Sequence, residues 1–152
     1  MSKKSHPGVP HGAGLVVADG RTAFILRNTG TAILPKFALV EELHNRHTAA
    51  AHEMGSDHPG RVHSSTGARR SAVEEVDYHT QAEQRFAAHV AESVARLHGA
   101  GAFKAFVLVA DPRTLAVLRS ELPKPVHAAV IDEIAKDLTK HPLHEMERLL
   151  AG

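Results

Sequence analysis

The 152-residue sequence contains no cysteine and no tryptophan, and it has only one tyrosine and five phenylalanines. The absence of cysteine excludes disulfide bonds and thiolate metal sites. Because aromatic residues are scarce, we expect a core built from Leu, Val, Ile and Ala side chains. No apolar run approaches the roughly 20 residues of a membrane-spanning helix. The N-terminal stretch has no apolar segment before a cleavage site, so we expect no signal peptide and a cytoplasmic protein.

A strong net charge is also lacking, since the formal charge is +1 with histidine neutral. No overall field attracts nucleic acid or membranes, and anion binding would have to come from local clusters. Thirteen histidines stand out, because they would make the protein more positive by about pH 6.

The stretch from residue 102 to 122 predicts the centre of the fold. Phe106–Val109 is a short apolar run, typical of a strand buried on both faces. Asp111 fits a helix N-cap, and Pro112 fits the first helical position. A buried strand that leads directly into an amphipathic helix indicates a βαβ unit, and therefore an α/β fold. The apolar residues at helical spacing are Leu115, Leu118 and Leu122.

The N-terminal half predicts an antiparallel meander of three strands. Residues 1–13 are polar and rich in glycine and proline, and we expect a flexible tail there. Gly14–Ala18 and Thr22–Arg27 are predicted strands joined by a turn at Asp19 and Gly20. A third strand is predicted within Ala32–Leu43, although Pro35 disfavours its first half. Residues 14–152 are expected to form one domain.

The second half predicts three further features. Residues 44–72 offer few core candidates and are expected to form a mobile loop. A long amphipathic helix is predicted from about Val76 to His98, followed near the end of the chain by a short helix. Residues 126–138 are ambiguous: apolar residues recur at every fourth position there, which favours a helix, whereas Val130–Asp137 also fits a charged edge strand. The inward residues are expected to be Phe86, Val90, Val94 and Leu97 in the long helix, and Leu143, Met146, Leu149 and Leu150 in the last one.

Several short phrases occur in an order that resembles the bacterial host attachment protein family. They are DHPGRV at 57–62, RFA at 85–87, FVLVA at 106–110 and KDLT at 136–139. This sequence departs from that family's pattern at His58, Asp111 and Ala116. The family resembles the middle domain of archaeal and eukaryotic class 1 translation release factors. The resemblance implies a mixed sheet flanked by helices, and it favours the strand for residues 130–136.

The release-factor domain carries a Gly-Gly-Gln motif in the loop before its long helix. In the corresponding stretch, Ser64–Ser71, only Gly67 matches a motif glycine and no glutamine follows. Hydrolysis of peptidyl-tRNA is therefore not implied, and no catalytic residue or cofactor is expected. The resemblance implies a non-enzymatic binding module with the ribosome or tRNA as candidate partners. The alternative is a dimeric interaction factor that acts indirectly in host attachment; neither a membrane nor DNA is expected as a partner.

A basic loop is the first candidate site. Its residues lie among glycines, serines and a threonine, a combination that suits phosphate oxygens. Charge clusters are more often solvated, and here the arginines could instead pair with Glu74, Glu75 and Asp77. The candidate phosphate-binding or RNA-binding residues are Arg61, His63, Arg69 and Arg70.

Histidine provides the second candidate. His44, His47, His52, His58 and His63 could ligate Zn²⁺ or Ni²⁺ together with a nearby carboxylate. The His-x-x-x-His spacing around a Glu that is typical of zinc helices is absent, so scattered surface histidines are the favoured interpretation and no metal site is predicted.

The third candidate lies at strand ends. The Asp19-Gly20-Arg21 and Asp111-Pro112-Arg113 turns each place a carboxylate and an arginine after a predicted strand. Ligands of open α/β sheets bind beyond the carboxyl ends of parallel strands. Asp111, Arg113 and Arg119 could therefore form a ligand site, although capping and bracing of turns is the commoner role of such residues.

Overall fold

The computed structural model describes residues 8–45 and 68–152, and within residues 68–79 it describes the helical backbone alone. This part of the chain contains five strands and four helices. They are β1 (Gly14–Ala18), β2 (Thr22–Asn28), β3 (Phe37–His44), α1 (Ala68–Gly99), β4 (Phe106–Ala110), α2 (Pro112–Glu121), α3 (Lys124–Ala129), β5 (Val130–Ala135) and α4 (Leu143–Leu150).

The strands form one mixed sheet in the order β3-β2-β1-β4-β5. β1, β2 and β3 are antiparallel neighbours, whereas β1, β4 and β5 run parallel to one another. The predicted α/β fold, with an antiparallel meander and a buried interior strand, is confirmed. The three parallel strands end at one edge of the sheet, and β3 ends there too because it runs antiparallel to β2. We call this the carboxyl edge.

The sheet is covered on both faces, since alternate side chains of a strand point to opposite sides. One layer consists of α1, α2 and α3, and it packs on Val16, Ile25 and Leu108. The other layer is formed by α4 and the chain around Val9, and it packs on side chains such as Val107. All five residues of β4 are buried, as predicted for a strand covered on both faces. The described part of the chain has no helix that is long and apolar enough to cross a membrane.

Each edge strand contains a register shift. In β3, Leu26 pairs with Leu39 while the preceding Ile25 pairs with Glu41, so Val40 is an extra residue. In β5, Phe106 pairs with Val130 and Val107 with Asp132, so one residue is again extra. Such bulges reverse which face a side chain covers, and they are common at sheet edges.

The N-terminal predictions need two boundary changes. Residues 1–7 lie outside the described residues, but residues 8–13 are packed rather than tail-like, because Val9 is fully buried and its carbonyl accepts a hydrogen bond of 2.7 Å from Asn28 Nδ2. The strand predicted from residue 32 begins only at Phe37. Proline at position 35 explains this late start, since it has no N–H to donate to a sheet.

The remaining corrections concern the helices. α1 begins at Ala68 instead of near residue 76, so residues 68–72 of the predicted loop are helical and residues 46–67 lie outside the described part. The ambiguous stretch contains both alternatives, a short helix up to Ala129 and then an edge strand from Val130 to Ala135. α4 buries Met146 and Leu150, but Leu143 is 41% exposed and is therefore not part of its inward face.

Candidate functional site at the carboxyl edge

Two aspartates stand side by side at the carboxyl edge. Asp19 follows β1 and Asp111 follows β4, and the last residues of these parallel strands, Ala18 and Ala110, pair with each other. The two turns that the sequence singles out therefore meet in space. This is the position at which ligands enter open α/β sheets.

Asp111 is engaged as a helix cap. One carboxylate oxygen accepts the Thr114 N–H at 3.1 Å, and the other accepts the Thr114 hydroxyl at 2.7 Å. Pro112 occupies the first turn, where an N–H would have no helical partner. The carboxylate stabilises the start of α2, which is the bracing role anticipated for this residue type.

Asp19 is engaged in a turn and in a long-range contact. Its Oδ1 accepts the Arg21 and Thr22 backbone N–H groups, both at 2.8 Å. Its Oδ2 lies 3.0 Å from the hydroxyl of Thr139, which lies 2.6 Å from Asp137 Oδ1. A hydroxyl carries one proton, so it can donate to only one of these carboxylates at a time. The segment after β5 is thereby tied to the end of β1.

Arg113 faces α1. Its guanidinium lies 3.1 Å from Glu83 Oε1 and donates to the Thr80 hydroxyl at 3.2 Å. Glu83 also approaches the β1–β2 turn so closely that a Cβ on Gly20 would come within 3.0 Å of its carboxylate. The cleft between these groups has a volume of only about 10 Å³, enough for about one water molecule. Arg113 lines this cleft, which leaves no room for a substrate, whereas Asp111 is held at the start of α2.

Arg119 does not line that cleft among the described residues. It pairs instead with Glu133 of β5. The hydrogen bond and the charge of Glu133 raise the pKa of Arg119 above its ordinary value, so this arginine stays cationic. The three residues predicted as one ligand site therefore have separate structural roles. Asp111 caps α2, Arg113 pairs with α1, and Arg119 pairs with β5.

Asn45 was not anticipated. It lies immediately before residues 46–70, which include the four predicted phosphate-binding residues and are called the basic segment below. Its backbone N–H donates to Arg21 O at 2.8 Å, and its side-chain amide donates to Gly20 O at 3.0 Å and Ala82 O at 3.4 Å. Only 6% of this residue is exposed. The only sequence signal was an amide residue two positions after the predicted third strand. The chain therefore leaves the sheet at the carboxyl edge immediately before residue 46.

α1 returns to the same edge. Glu83 is level with the β1–β2 turn, so at about 1.5 Å per residue the stretch from Ala68 extends roughly 22 Å farther along the helix axis. Of the predicted phosphate-binding residues, Arg61 and His63 lie outside the described residues. Arg69 and Arg70 lie in the first turn of α1, in the part described by its backbone alone. The assignment of these four residues stays a prediction.

A larger groove lies between the end of β3 and α1. Its volume is about 590 Å³, with Leu43, Phe86 and Ala88 contributing apolar surface. His44 Nε2 lies 2.8 Å from Glu42 Oε2 at its rim. No cluster of three or more potential metal ligands occurs within residues 8–45 and 80–152. The other four histidines of the candidate metal segment, His47, His52, His58 and His63, lie outside the described residues.

The chain matches a known protein family. A family model described as bacterial archaeo-eukaryotic release factor family 12 matches residues 13–150, a range that includes every strand and helix of the fold. A search of curated proteins finds no match.

Proposed function

Because the chain belongs to bacterial archaeo-eukaryotic release factor family 12, we propose that it is a non-enzymatic module that binds the ribosome or tRNA. The contact surface would be the basic segment that leaves the fold at Asn45 and re-enters it through α1. The observation that carries the proposal is the anchoring of Asn45 to the β1–β2 turn and to Ala82 of α1, which fixes the start of that segment at the carboxyl edge. A cytoplasmic location would follow from such a partner.

The chemistry of the segment suits phosphates more than bases. Guanidinium groups bind phosphate oxygens through paired hydrogen bonds, and Arg61, Arg69 and Arg70 would supply them. His63 would add a charge when protonated. Phosphate contacts position a protein without reading sequence, so specificity would come from the shape of the RNA or the ribosome.

Two observations support a proposal without a catalytic step. No glutamine follows Gly67 in the segment that corresponds to the release-factor motif. At the edge itself, Asp111 and Asp19 already accept hydrogen bonds that hold a helix start and a turn. Both carboxylates have structural partners, which favours a scaffold for the neighbouring segment.

The test compares binding of tRNA and of whole ribosomes by two double variants at low salt. Arg69→Ala with Arg70→Ala should weaken binding to both ligands. The matched control is Lys104→Ala with Lys124→Ala, which removes the same charge from exposed positions near the opposite edge of the sheet and should bind almost as the unchanged chain does. Equal losses in the two variants would indicate nonspecific attraction and contradict the proposal.

Attachment to host cells, implied by the resemblance, would on this proposal be an indirect effect of a translational role. The alternative is a dimeric interaction factor with no RNA contact. The observation that favours it is the exposed apolar strip along β3, which includes Leu39 and Val40. If neither tRNA nor ribosomes bind at low salt and pH 6, where an ordinary histidine is largely protonated, this alternative replaces the first.

A further inference from the structure

β5 is an edge strand whose composition favours association. Among the described residues it pairs only with β4, so its outer backbone groups face no further strand. Three of its six residues are β-branched and aliphatic, namely Val130, Ile131 and Ile134, and Ile131 is 49% exposed. An apolar strand edge of this kind is a template for pairing with another chain. The two acidic residues in the middle of β5 therefore decide whether this edge can add a strand.

Glu133, the second of these acidic residues, has a cationic partner. Its carboxylate accepts a hydrogen bond of 3.2 Å from Nε of Arg119, which lies on α2. Its side chain therefore faces the layer formed by α1, α2 and α3, and its charge is compensated there. Glu133 alone would offer little opposition to a strand that approached β5.

Asp132 faces the opposite layer, which is apolar. It pairs with Val107 and lies two residues before Ile134, and both of these belong to the core beneath α4. One carboxylate oxygen, Oδ1, accepts the N–H of Glu133 at 2.9 Å. The other, Oδ2, is shielded from water and has no hydrogen-bond partner among the described residues. None of the ion pairs in the described part of the chain includes Asp132.

A shielded oxygen without a partner lowers the stability of the fold. It loses its hydrogen bonds to water on folding and gains none from the protein, so an apolar side chain of similar size would be more favourable here. Valine is such a side chain, and the neighbouring Val107 and Ile134 are apolar as well. Packing therefore does not explain why a carboxylate occupies this position.

We propose that Asp132 prevents strand addition to β5, so that the chain does not associate through this edge. A strand added beside β5 would remove the rest of the carboxylate from water without supplying a cation, and burial of an unpaired charge is strongly unfavourable. Inward-pointing charges on edge strands oppose edge-to-edge pairing in this way. The inference does not depend on the proposed binding of ribosomes or tRNA.

An Asp132→Val variant of the full chain tests both the stability effect and the association effect. Its melting temperature should rise by about 3 °C, because the unpartnered oxygen is removed. In sedimentation velocity it should form dimers or larger species at concentrations about tenfold lower than the unchanged chain does. The matched control is Glu121→Val, which removes the same charge and adds the same side chain at an exposed position of α2. The control should associate no more than the unchanged chain.

A second variant locates the association on β5. Asp132→Val combined with Ile131→Lys places a charge on the exposed, extra residue of the same edge. It should keep the raised melting temperature and lose the added association, since lysine on an edge strand opposes pairing. A melting temperature that does not rise in Asp132→Val would show that the carboxylate does not lower stability. Association that does not increase, or that Ile131→Lys does not reverse, would show that Asp132 does not protect this edge. Each of these results would overturn the proposal.

Discussion

Replacing Asn28 by alanine should destabilise the fold measurably, although this residue lies far from the carboxyl edge. Its amide nitrogen donates to Val9 O at 2.7 Å and Thr31 O at 3.1 Å, and its oxygen accepts from Gly30 N at 2.9 Å and Lys36 N at 3.0 Å. The side chain is fully buried, and so is Val9. The substitution therefore removes four hydrogen bonds at once and leaves at least one carbonyl without access to water.

The magnitude follows from which partners water can reach. The buried Val9 carbonyl should cost about 1–2 kcal/mol, and the three groups nearer solvent about 0.5 kcal/mol each, so the free energy of unfolding should fall by about 3 kcal/mol. For a chain of this size the melting temperature should fall by roughly 6–12 °C. Urea unfolding monitored by far-UV circular dichroism measures the free energy of unfolding, and a thermal scan measures the melting temperature.

The control is Thr29→Ala, which removes one exposed hydrogen bond to Lys36 O from the same turn. It should change the free energy of unfolding by less than about 0.5 kcal/mol. If Asn28→Ala also lost less than about 1 kcal/mol, the hydrogen bonds around this amide would not be what holds the turn between β2 and β3.

Three other perturbations test the fold and its charges. Val107→Asp should abolish cooperative unfolding, because it places a carboxylate at a position only 1% exposed; a cooperatively melting variant would contradict the assignment of β4 as a buried strand. Asp111→Ala should cost about 1 kcal/mol by removing the cap of α2, whereas no loss would show that the cap is dispensable. The Arg148 hydrogen bond lowers the pKa of the Glu145 carboxyl from its ordinary 4.5. The pair therefore stabilises α4 above that pH and loses its effect as the pH falls through the lowered pKa, so Glu145→Gln should flatten this part of the stability curve.

Local signals predicted the unit of β4 and α2. The apolar run, the capping Asp111 and Pro112 act over neighbouring residues, so the sequence contains all the information needed there. The stretch after Val126 shows the limit of such signals. Apolar residues at every fourth position fit one turn of a helix, and they also fit two repeats of a strand, whose side chains alternate with a period of two residues. Here the chain forms a helix and then a strand. The extra residue in β5 further places Val130 and Ile134 in opposite layers.

Contacts between distant segments explain what could not be predicted at the carboxyl edge. The hydroxyl of Thr139 reaches Asp19 across 120 positions of sequence, and Arg113 reaches Glu83 in another helix. The spacing of residues in the sequence predicts neither Thr139 nor Glu83 as a partner. These two partners nevertheless decide whether the Asp19 carboxylate and the Arg113 guanidinium are available to a ligand. The burial of Val9 depends likewise on Asn28, so the composition of residues 8–13 alone suggested a tail.

The salt dependence of tRNA binding tests the proposed function most directly. Four cationic contacts, from Arg61, Arg69, Arg70 and protonated His63, predict a log–log slope of about −3 to −4 at pH 6. Arg69→Ala with Arg70→Ala should reduce its magnitude by about two and leave the free energy of unfolding within about 0.5 kcal/mol. A slope that the double variant leaves unchanged would contradict a role for the basic segment, and no binding at low salt would contradict tRNA as the partner.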